Sequence, residues 1–280
     1  MSAEHSSAGP LWAAMYHSVA DATHDPYRVT VSPARLDRQL RLLRRCGLRG
    51  VSMERLLRAR ADGTAAGLVG LTFDDGYADF TTHAVPALLR YGCTATVYVL
   101  PGRMGGSNEW DPLGPRKPLL TEDGLRAAAD AGMEIGSHGL LHTDLTDREL
   151  VDGELLAAET ARSRELLRAV TGTDVTGFCY PYGSVDQRAV DAVRAAGYHY
   201  AVGIDPGPLT GLFALPRVHV GQDDTSTRLL LKLALHRRRR EPVPYGPYPE
   251  VHESELPEPH VPVPGAHAPE PAQTREGSAP

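Results

Sequence analysis

Residues 71–77 decide the fold and carry the clearest chemistry: Leu71-Thr72-Phe73-Asp74-Asp75-Gly76-Tyr77, an apolar segment that ends in two adjacent carboxylates and a glycine. The apolar run 68–73 predicts a buried strand. Carboxylates at the C-terminal end of a strand lie where α/β barrels place their active sites. Because successive strand residues point to opposite sides, Asp74 and Asp75 are expected to differ in role unless the backbone turns at Gly76. A helix-capping turn is the alternative interpretation.

Short apolar segments of the same kind recur along the chain and alternate with helical patterns. Helices are predicted over 32–46, with Ser32 as the cap and Pro33 in the first turn, and over 147–171, ending at Gly172. Because strands and helices alternate, the sequence predicts a parallel α/β sheet or barrel. The strands are predicted at 11–17, 48–52, 68–73, 94–100, 133–137, 175–180, 198–202 and 213–220.

Composition separates a globular domain over 11–240 from two flanking segments. The whole chain is 41% hydrophobic and 23% charged, which suits a single packed domain. Residues 241–280 are rich in Pro and hold seven Glu against one Arg, so we expect a disordered tail that accounts for the net charge of -6. Residues 1–10 are expected to be a flexible N-terminus. The folded part is then about neutral, which argues against a nucleic-acid partner.

The chain shows no export pattern at its start and no apolar run of about 20 residues that would span a bilayer. We therefore expect a cytoplasmic location, and no protein partner is evident. The three cysteines are Cys46, Cys93 and Cys179, and none belongs to a C-x-x-C pair. This pattern favours reduced thiols, so any metal should be held by His and carboxylate side chains.

The last predicted helix, 225–240, has a row of leucines followed by four arginines at 237–240. The favoured interpretation is a helix that covers the barrel, with its basic end complementing the helix dipole. The alternative is a basic amphipathic segment that makes peripheral contact with an anionic membrane.

A second motif, residues 134–142, places His138 and His142 four residues apart just after a short strand. Two neutral imidazoles and one carboxylate form a ligand set that leaves coordination positions open for water and substrate. Such pairs also occur as surface or capping residues. Two further segments end in chemically useful groups: 177–183 in Pro-Tyr182-Gly, and 14–18 in Tyr16-His17-Ser. Each alone has an ordinary structural interpretation.

Taken in this order, the four segments resemble the polysaccharide deacetylase family, also called the NodB-homology or carbohydrate esterase 4 group. The motif T-F-D-D-G is present at 72–76 and the motif H-S/T-x-x-H at 138–142. The resemblance implies a distorted (β/α)7 barrel and metal-dependent removal of acetyl groups from N-acetylated sugars. It also implies that Asp75, His138 and His142 are the metal ligands and that Asp74 is the general base.

The chain departs from the family pattern at three places. Gly139 replaces the usual Ser or Thr, so a hydrogen bond that braces this loop should be missing. Cys179 occupies the position of an Arg that braces the catalytic Asp, and we expect Arg217 to substitute for it. The general acid is expected to be His17, as in the poly-N-acetylglucosamine deacetylase branch, with His219 as the rival.

The expected reaction is hydrolysis of an acetamide on a sugar or glycan. The cofactor is predicted to be one divalent ion, zinc first, with cobalt or nickel as alternatives. Asp74 would take the proton of water, the backbone N–H of Tyr182 would help hold the oxyanion, and His17 would protonate the leaving nitrogen from the side of the metal opposite the base. Two other functions remain open at this point: hydrolysis of a non-sugar amide or cyclic imide, and glycan binding without catalysis.

Overall fold

The computed structural model describes residues 11–204, 209 and 211–236. Eight parallel strands of these residues form one sheet, and helices cover its outer face. The expected tail at 241–280, the N-terminus at 1–10 and the arginines at 237–240 lie outside the described residues. In the main sheet the strands are β1 (Ala13–Tyr16), β4 (Arg49–Val51), β5 (Leu68–Phe73), β6 (Thr96–Val99), β7 (Glu134–Ser137), β8 (Gly177–Cys179), β9 (Tyr200–Val202) and β10 (Val218–His219).

The sheet closes into a distorted (β/α)7 barrel. Seven strands follow one another in the order β10-β1-β5-β6-β7-β8-β9 among the described residues. The segment that contains β10 completes the circle, because Leu215 bridges to Val202 of β9 while Val218 pairs with Ala14 of β1. The ladder expected over 213–220 is short since Pro216, between the two contacts, has no N–H to donate.

One strand lies off this circle and distorts it. β4 pairs with the first half of β5, at Leu68 to Gly70, whereas the second half of β5 pairs with β6. A small parallel pair, β2 (Ser18–Val19) and β3 (Thr30–Val31), follows β1. Two helix caps agree with simple sequence signals: Ser32 accepts a hydrogen bond from Arg35 N at the start of the first helix, and Gly172, with φ 70°, ends the helix before β8.

The helices alternate with the strands along the chain. The predicted helix at 147–171 begins only at Gly153, because Asp152 caps it by accepting from Leu155 N. It runs to Thr171 through a π-helical turn, Ala158–Arg162. The helices are α1 (Pro33–Arg45), α2 (Met53–Ala61), α3 (Val85–Arg90), α4 (Glu122–Asp130), α5 (Gly153–Ala157), α6 (Ser163–Thr171), α7 (Gln187–Ala195) and α8 (Ser226–His236), with a second π turn at Phe80–Ala84 and 3-10 turns at Pro101–Arg103 and Pro181–Gly183.

Alternation along each strand sorts side chains between two cores. Along β5, Leu71 and Phe73 point outward and join the large core beneath the helices. The positions between them point into the barrel, so the two-residue period places Thr72 and then Asp74 on the inner face. A smaller core, which includes Tyr98, Cys179 and Tyr200, fills the barrel interior. The fold therefore directs the first carboxylate inward.

Glycines make room for large side chains inside the barrel. A Cβ atom at Gly136 would lie 2.4 Å from the Tyr98 ring, and one at Gly177 would lie 2.2 Å from the Tyr200 hydroxyl. Tyr200 donates a hydrogen bond to the half-buried Glu134 carboxylate at 2.5 Å, and the two tyrosine hydroxyls are 3.3 Å apart. Burial, together with the charge of nearby Glu54, raises the pKa of Glu134 to about 7.

This raised pKa predicts a pH-dependent stability. The folded state holds the Glu134 proton more tightly than the unfolded chain, so stability should fall as pH rises from about 4.5 to about 7 and then level off. Relative to Glu134→Gln, the parent should lose up to about 3 kcal/mol across this window. Urea unfolding of both chains at half-unit pH steps measures the difference. Parallel curves for the two chains would contradict the prediction.

The last helix, α8, packs onto the barrel through Leu229, which is fully buried. Lys232 donates to the His219 carbonyl and to the Asp224 carboxylate, each at 2.7 Å. These contacts match the interpretation of a helix that covers the barrel. Among the described residues, no helix has the length and apolar character needed to cross a membrane.

Candidate active site

The carboxyl ends of the strands bring the sequence motifs together at one mouth of the barrel. β5 leads into Asp74 and Asp75, β7 into the His138–His142 loop, and β8 into the Pro181–Gly183 turn. Parallel strands place such ends on the same side of a barrel. Residues more than 60 positions apart in the sequence therefore share one site.

Three of these side chains converge on one point. Asp75 Oδ1 lies 3.3 Å from His138 Nε2 and 3.4 Å from His142 Nε2. All three residues are buried, and their ligand atoms form a compact group. Asp75, His138 and His142 are the three residues that the sequence assigned to a metal.

The separations of these atoms fit a small divalent cation. Ligand atoms about 2.0–2.1 Å from an ion with tetrahedral angles are about 3.3–3.4 Å apart, which is the spacing that Asp75 Oδ1 has from both imidazoles. A second group of potential ligands consists of Asp74, His138 and Cys179. It fits a cation poorly because the Arg217 guanidinium already contacts both the Asp74 carboxylate and the Cys179 sulfur.

The imidazoles are held with Nε2 facing Asp75. His138 Nδ1–H donates to the Cys179 carbonyl oxygen at 2.9 Å, which fixes the orientation of the ring and makes Nε2 the nitrogen that a cation would bind. His142 lies between two aromatic rings: Trp110 stacks on it at a centroid distance of 4.6 Å, and the Tyr182 ring meets it edge-on at 4.5 Å. His142 Nδ1 is buried without a hydrogen-bond partner among the described residues.

The other carboxylate, Asp74, forms a buried ion pair with Arg217. Nη1 donates to Oδ1 at 2.6 Å and Nη2 to Oδ2 at 2.7 Å, and Nη1 also donates to the Thr72 hydroxyl. The Arg217 Nε donates to the Gly203 carbonyl oxygen. The structure therefore brings Arg217 to Asp74, at the place where Cys179 replaces the family's arginine. Two adjacent Asp residues thus have different partners.

The pKa values of Asp74 and Asp75 follow from their different partners. Burial alone would raise the pKa of Asp74, but the Arg217 guanidinium outweighs it and leaves the pKa below its ordinary value. For Asp75 the same burial effect is overcome by hydrogen bonds from His138 and His142, which lower the pKa well below the usual range. Both carboxyl groups are therefore ionised at neutral pH.

The two histidines differ in their protonation. Burial lowers the pKa of His142, so its ring is neutral. Burial would also lower the pKa of His138, but Cys179 and the Asp75 carboxylate outweigh it and raise the pKa well above its ordinary value. A cation at this site competes with the proton for the His138 Nε2 lone pair, so its affinity depends on pH.

The two candidates for the general acid occupy different places. His17 Nε2 lies 3.9 Å from Asp74 Oδ2, and its ring is 15% exposed. The two groups are therefore neighbours at the mouth of the barrel, and the expectation that they face the ion from opposite sides stays a prediction. His219 Nε2 lies 3.1 Å from the Arg28 carbonyl oxygen and borders a separate cavity of about 730 Å³. Burial lowers the pKa of His219.

Three site residues adopt the left-handed backbone region that L-residues rarely occupy: Asp75 (φ 70°), His142 (φ 71°) and Tyr182 (φ 58°). The turn expected at Gly76 begins one residue earlier, at Asp75 itself. Each such residue costs on the order of 1 kcal/mol or more, a strain typical of functional sites. Here it marks the turn by which the chain leaves β5, which ends at Phe73.

Sequence analysis missed several residues of the site. Trp110 stacks on His142, and Asp111 lies close enough to Tyr77 for a 3.4 Å contact between Oδ2 and the hydroxyl. Glu159 binds the loop between the two histidines. Trp110 lies in an irregular segment without periodicity, and Glu159 resembles an ordinary helix position. An aromatic residue isolated in a long loop was the one available signal.

The sequence matches the profile of the family described as polysaccharide deacetylase over residues 61–201, just over half of the chain. YxkH of Bacillus subtilis (strain 168), which is named as a polysaccharide deacetylase, is 30% identical over 153 residues. The match covers 54% of this chain and 50% of YxkH, so the chain spans about half the length of that relative.

Two solved structures share the fold. The Streptococcus pyogenes deacetylase PplD, solved in complex with acetate, has a TM-score of 0.66 and 23% identity, with 80% of this chain and 97% of PplD covered. A de-N-acetylase from Aggregatibacter actinomycetemcomitans has a TM-score of 0.66 and 19% identity, with 79% of this chain and 99% of that chain covered. At these identities the likeness establishes the distorted barrel.

Proposed function

Because this chain belongs to the polysaccharide deacetylase family, we propose that it hydrolyses the N-acetyl group of an acetamido sugar or glycan. The observation that carries this proposal is the Asp75–His138–His142 cluster beside an Asp74–Arg217 pair at the mouth of the barrel. One group of residues has the spacing of a metal site, and the adjacent carboxylate is kept ionised.

Asp75, His138 and His142 would hold the divalent cation. When bound, the cation supplies Lewis acidity, which makes water a stronger nucleophile and an amide carbonyl a better electrophile. Carboxylate and imidazole ligands suit zinc, with cobalt and nickel as alternatives. Cys179 would orient one ligand through its carbonyl oxygen, and Trp110 and Tyr182 would fix the plane of the other.

Asp74 would act as the general base. Its carboxylate oxygens each accept a bond from Arg217 and retain a further lone pair, so one oxygen can take a proton from the attacking water. Arg217 would position this carboxylate. Because Nε, Nη1 and Nη2 of the guanidinium each donate to a buried acceptor within the barrel, Arg217 holds Asp74 without competing for substrate.

The leaving nitrogen needs a proton, and His17 is the group we propose to deliver it. Its Nε2 faces the Asp74 side of the site, and the ring keeps access to solvent. We further propose that the Tyr182 backbone N–H stabilises the negative charge that develops on the acetyl oxygen. The turn that carries Tyr182 follows β8 directly, beside His142.

Release of acetate from a panel of acetamido sugars, measured with and without a chelator, tests the proposed function. We expect turnover of at least one N-acetylglucosamine compound, loss of that turnover after chelation, and recovery on addition of zinc. Turnover of simple amides or cyclic imides alone would favour the non-sugar hydrolase. Saturable glycan binding without acetate release would favour a binding domain.

A further inference from the structure

The loop between His138 and His142 lacks the side chain that the sequence motif normally uses to brace it. Position 139 is glycine, and its φ of 86° lies in the left-handed region. A free loop here would leave the two imidazoles poorly fixed relative to each other. The loop is nevertheless tied down, by a side chain from the helical segment that precedes β8.

The Glu159 carboxylate binds this loop through both of its oxygens. Oε2 accepts from Leu140 N at 2.6 Å and from Leu141 N at 3.2 Å, and Oε1 accepts from the Thr143 hydroxyl at 2.8 Å. Consecutive backbone N–H groups aimed at one anion form the kind of concave site that binds carboxylates and phosphates. The residues that donate these bonds flank His142 on both sides.

Because Glu159 is buried, its carboxylate depends on these hydrogen bonds. Its side chain is completely buried, and the hydrogen bonds that it accepts within the described part of the chain all come from uncharged N–H and O–H donors. A buried carboxylate is costly unless such donors replace its hydration. Glu159 also lies in the π-helical turn Ala158–Arg162, an irregular geometry that is frequent at functional sites.

Two further features fit this arrangement. A Cβ atom at Gly139 would lie 2.6 Å from Glu159 Oε2, so the usual Ser or Thr of the motif would collide with the carboxylate. One turn further along the helix, Ser163 donates to the Gly139 carbonyl oxygen at 2.8 Å. Glycine at 139 therefore leaves the space that the Glu159 carboxylate occupies, and the helical segment that carries Glu159 and Ser163 holds the loop.

We propose that Glu159 is a positioning residue that holds the His138–His142 loop in the geometry required to bind a divalent cation. Its hydrogen bonds reach the residues on either side of His142, through Leu141 N and the Thr143 hydroxyl. The inference rests on the proposed metal site. It accounts for how this chain keeps its two histidines in register without the hydroxyl that position 139 lacks.

Zinc affinity of the full chain, measured by competition with a chromophoric chelator, tests the proposal without any enzymatic assay. In Glu159→Gln one oxygen is replaced by an amide that faces N–H and O–H donors, so the loop should loosen and zinc affinity should fall about 10-fold or more. The matched control is Thr160→Val. Thr160 is buried in the same π turn, and its hydroxyl donates to the Leu156 carbonyl oxygen, away from the histidine loop.

The control separates positioning from general loss of stability. Both variants should lower the melting temperature in the absence of zinc, but only Glu159→Gln should lose zinc affinity and the stabilisation that zinc confers. Folded Glu159→Gln with parental zinc affinity would overturn the proposal. If Glu159→Gln does not fold, Thr143→Val removes one donor and should weaken zinc binding several-fold, and unchanged affinity there would equally overturn it. A parent chain that binds no zinc would instead refute the metal site itself.

Discussion

Replacement of Asp75 by Ala is expected to remove the bound divalent ion and to lower acetate release by at least about 10³-fold. Asp75 Oδ1 lies against both imidazoles, at 3.3 and 3.4 Å. Its loss leaves two neutral ligands, which bind a divalent ion weakly. Since the cation is expected to supply several kcal/mol of transition-state stabilisation, the loss of turnover should be large.

The neighbouring Asp74 provides the matched control. Asp74→Asn should retain about one divalent ion per chain while it also loses turnover, because Asp74 pairs with Arg217 and is not part of the ligand cluster. Elemental analysis of the two variants, with circular dichroism to confirm folding, distinguishes metal loss from base loss. Asp75→Ala with parental metal content, or Asp74→Asn without metal, would show that the two roles are assigned wrongly.

Sequence predicted those parts of the site that depend on strand ends. Parallel strands place their carboxyl ends at one mouth, so Asp74, Asp75 and His138 were brought together by topology alone. The pairing of Arg217 with Asp74 spans 143 residues and required the family pattern, because no local signal connects the two. The strand order of the distorted barrel also follows the order of the predicted strands, except for the short β4.

What the sequence did not predict lies in backbone irregularities. Gly139 indicated that one bracing hydrogen bond is missing from the loop, but nothing indicated that Glu159 reaches the loop from a π turn, which periodicity analysis treats as ordinary helix. The turn at Asp75 begins at a residue with positive φ, which sequence rules assign first to Gly76. Trp110 reaches His142 from a loop whose course no pattern specifies.

Substitution of His17 by Ala is expected to lower kcat by about 10²-fold or more, with little change in KM or in metal content. His17 follows β1 and lies 3.9 Å from Asp74, so its Nε2 stands beside the reacting groups without belonging to the ligand cluster. Loss of a placed proton donor acts on the chemical step. Steady-state kinetics and elemental analysis of the variant give both quantities.

His219→Ala is the decisive companion experiment, because the sequence left both histidines as candidates. His219 is occupied with the Arg28 carbonyl oxygen and borders a separate cavity, so its removal should change turnover by less than about 10-fold. The reverse result, with turnover lost only in His219→Ala, would transfer the acid role to that residue. A lower melting temperature of His17→Ala without a loss of kcat would mean that His17 has a structural role only. This measurement is needed because His17 lies beside the base. A neighbour that only stabilises the fold leaves kcat unchanged, whereas loss of a proton donor lowers it.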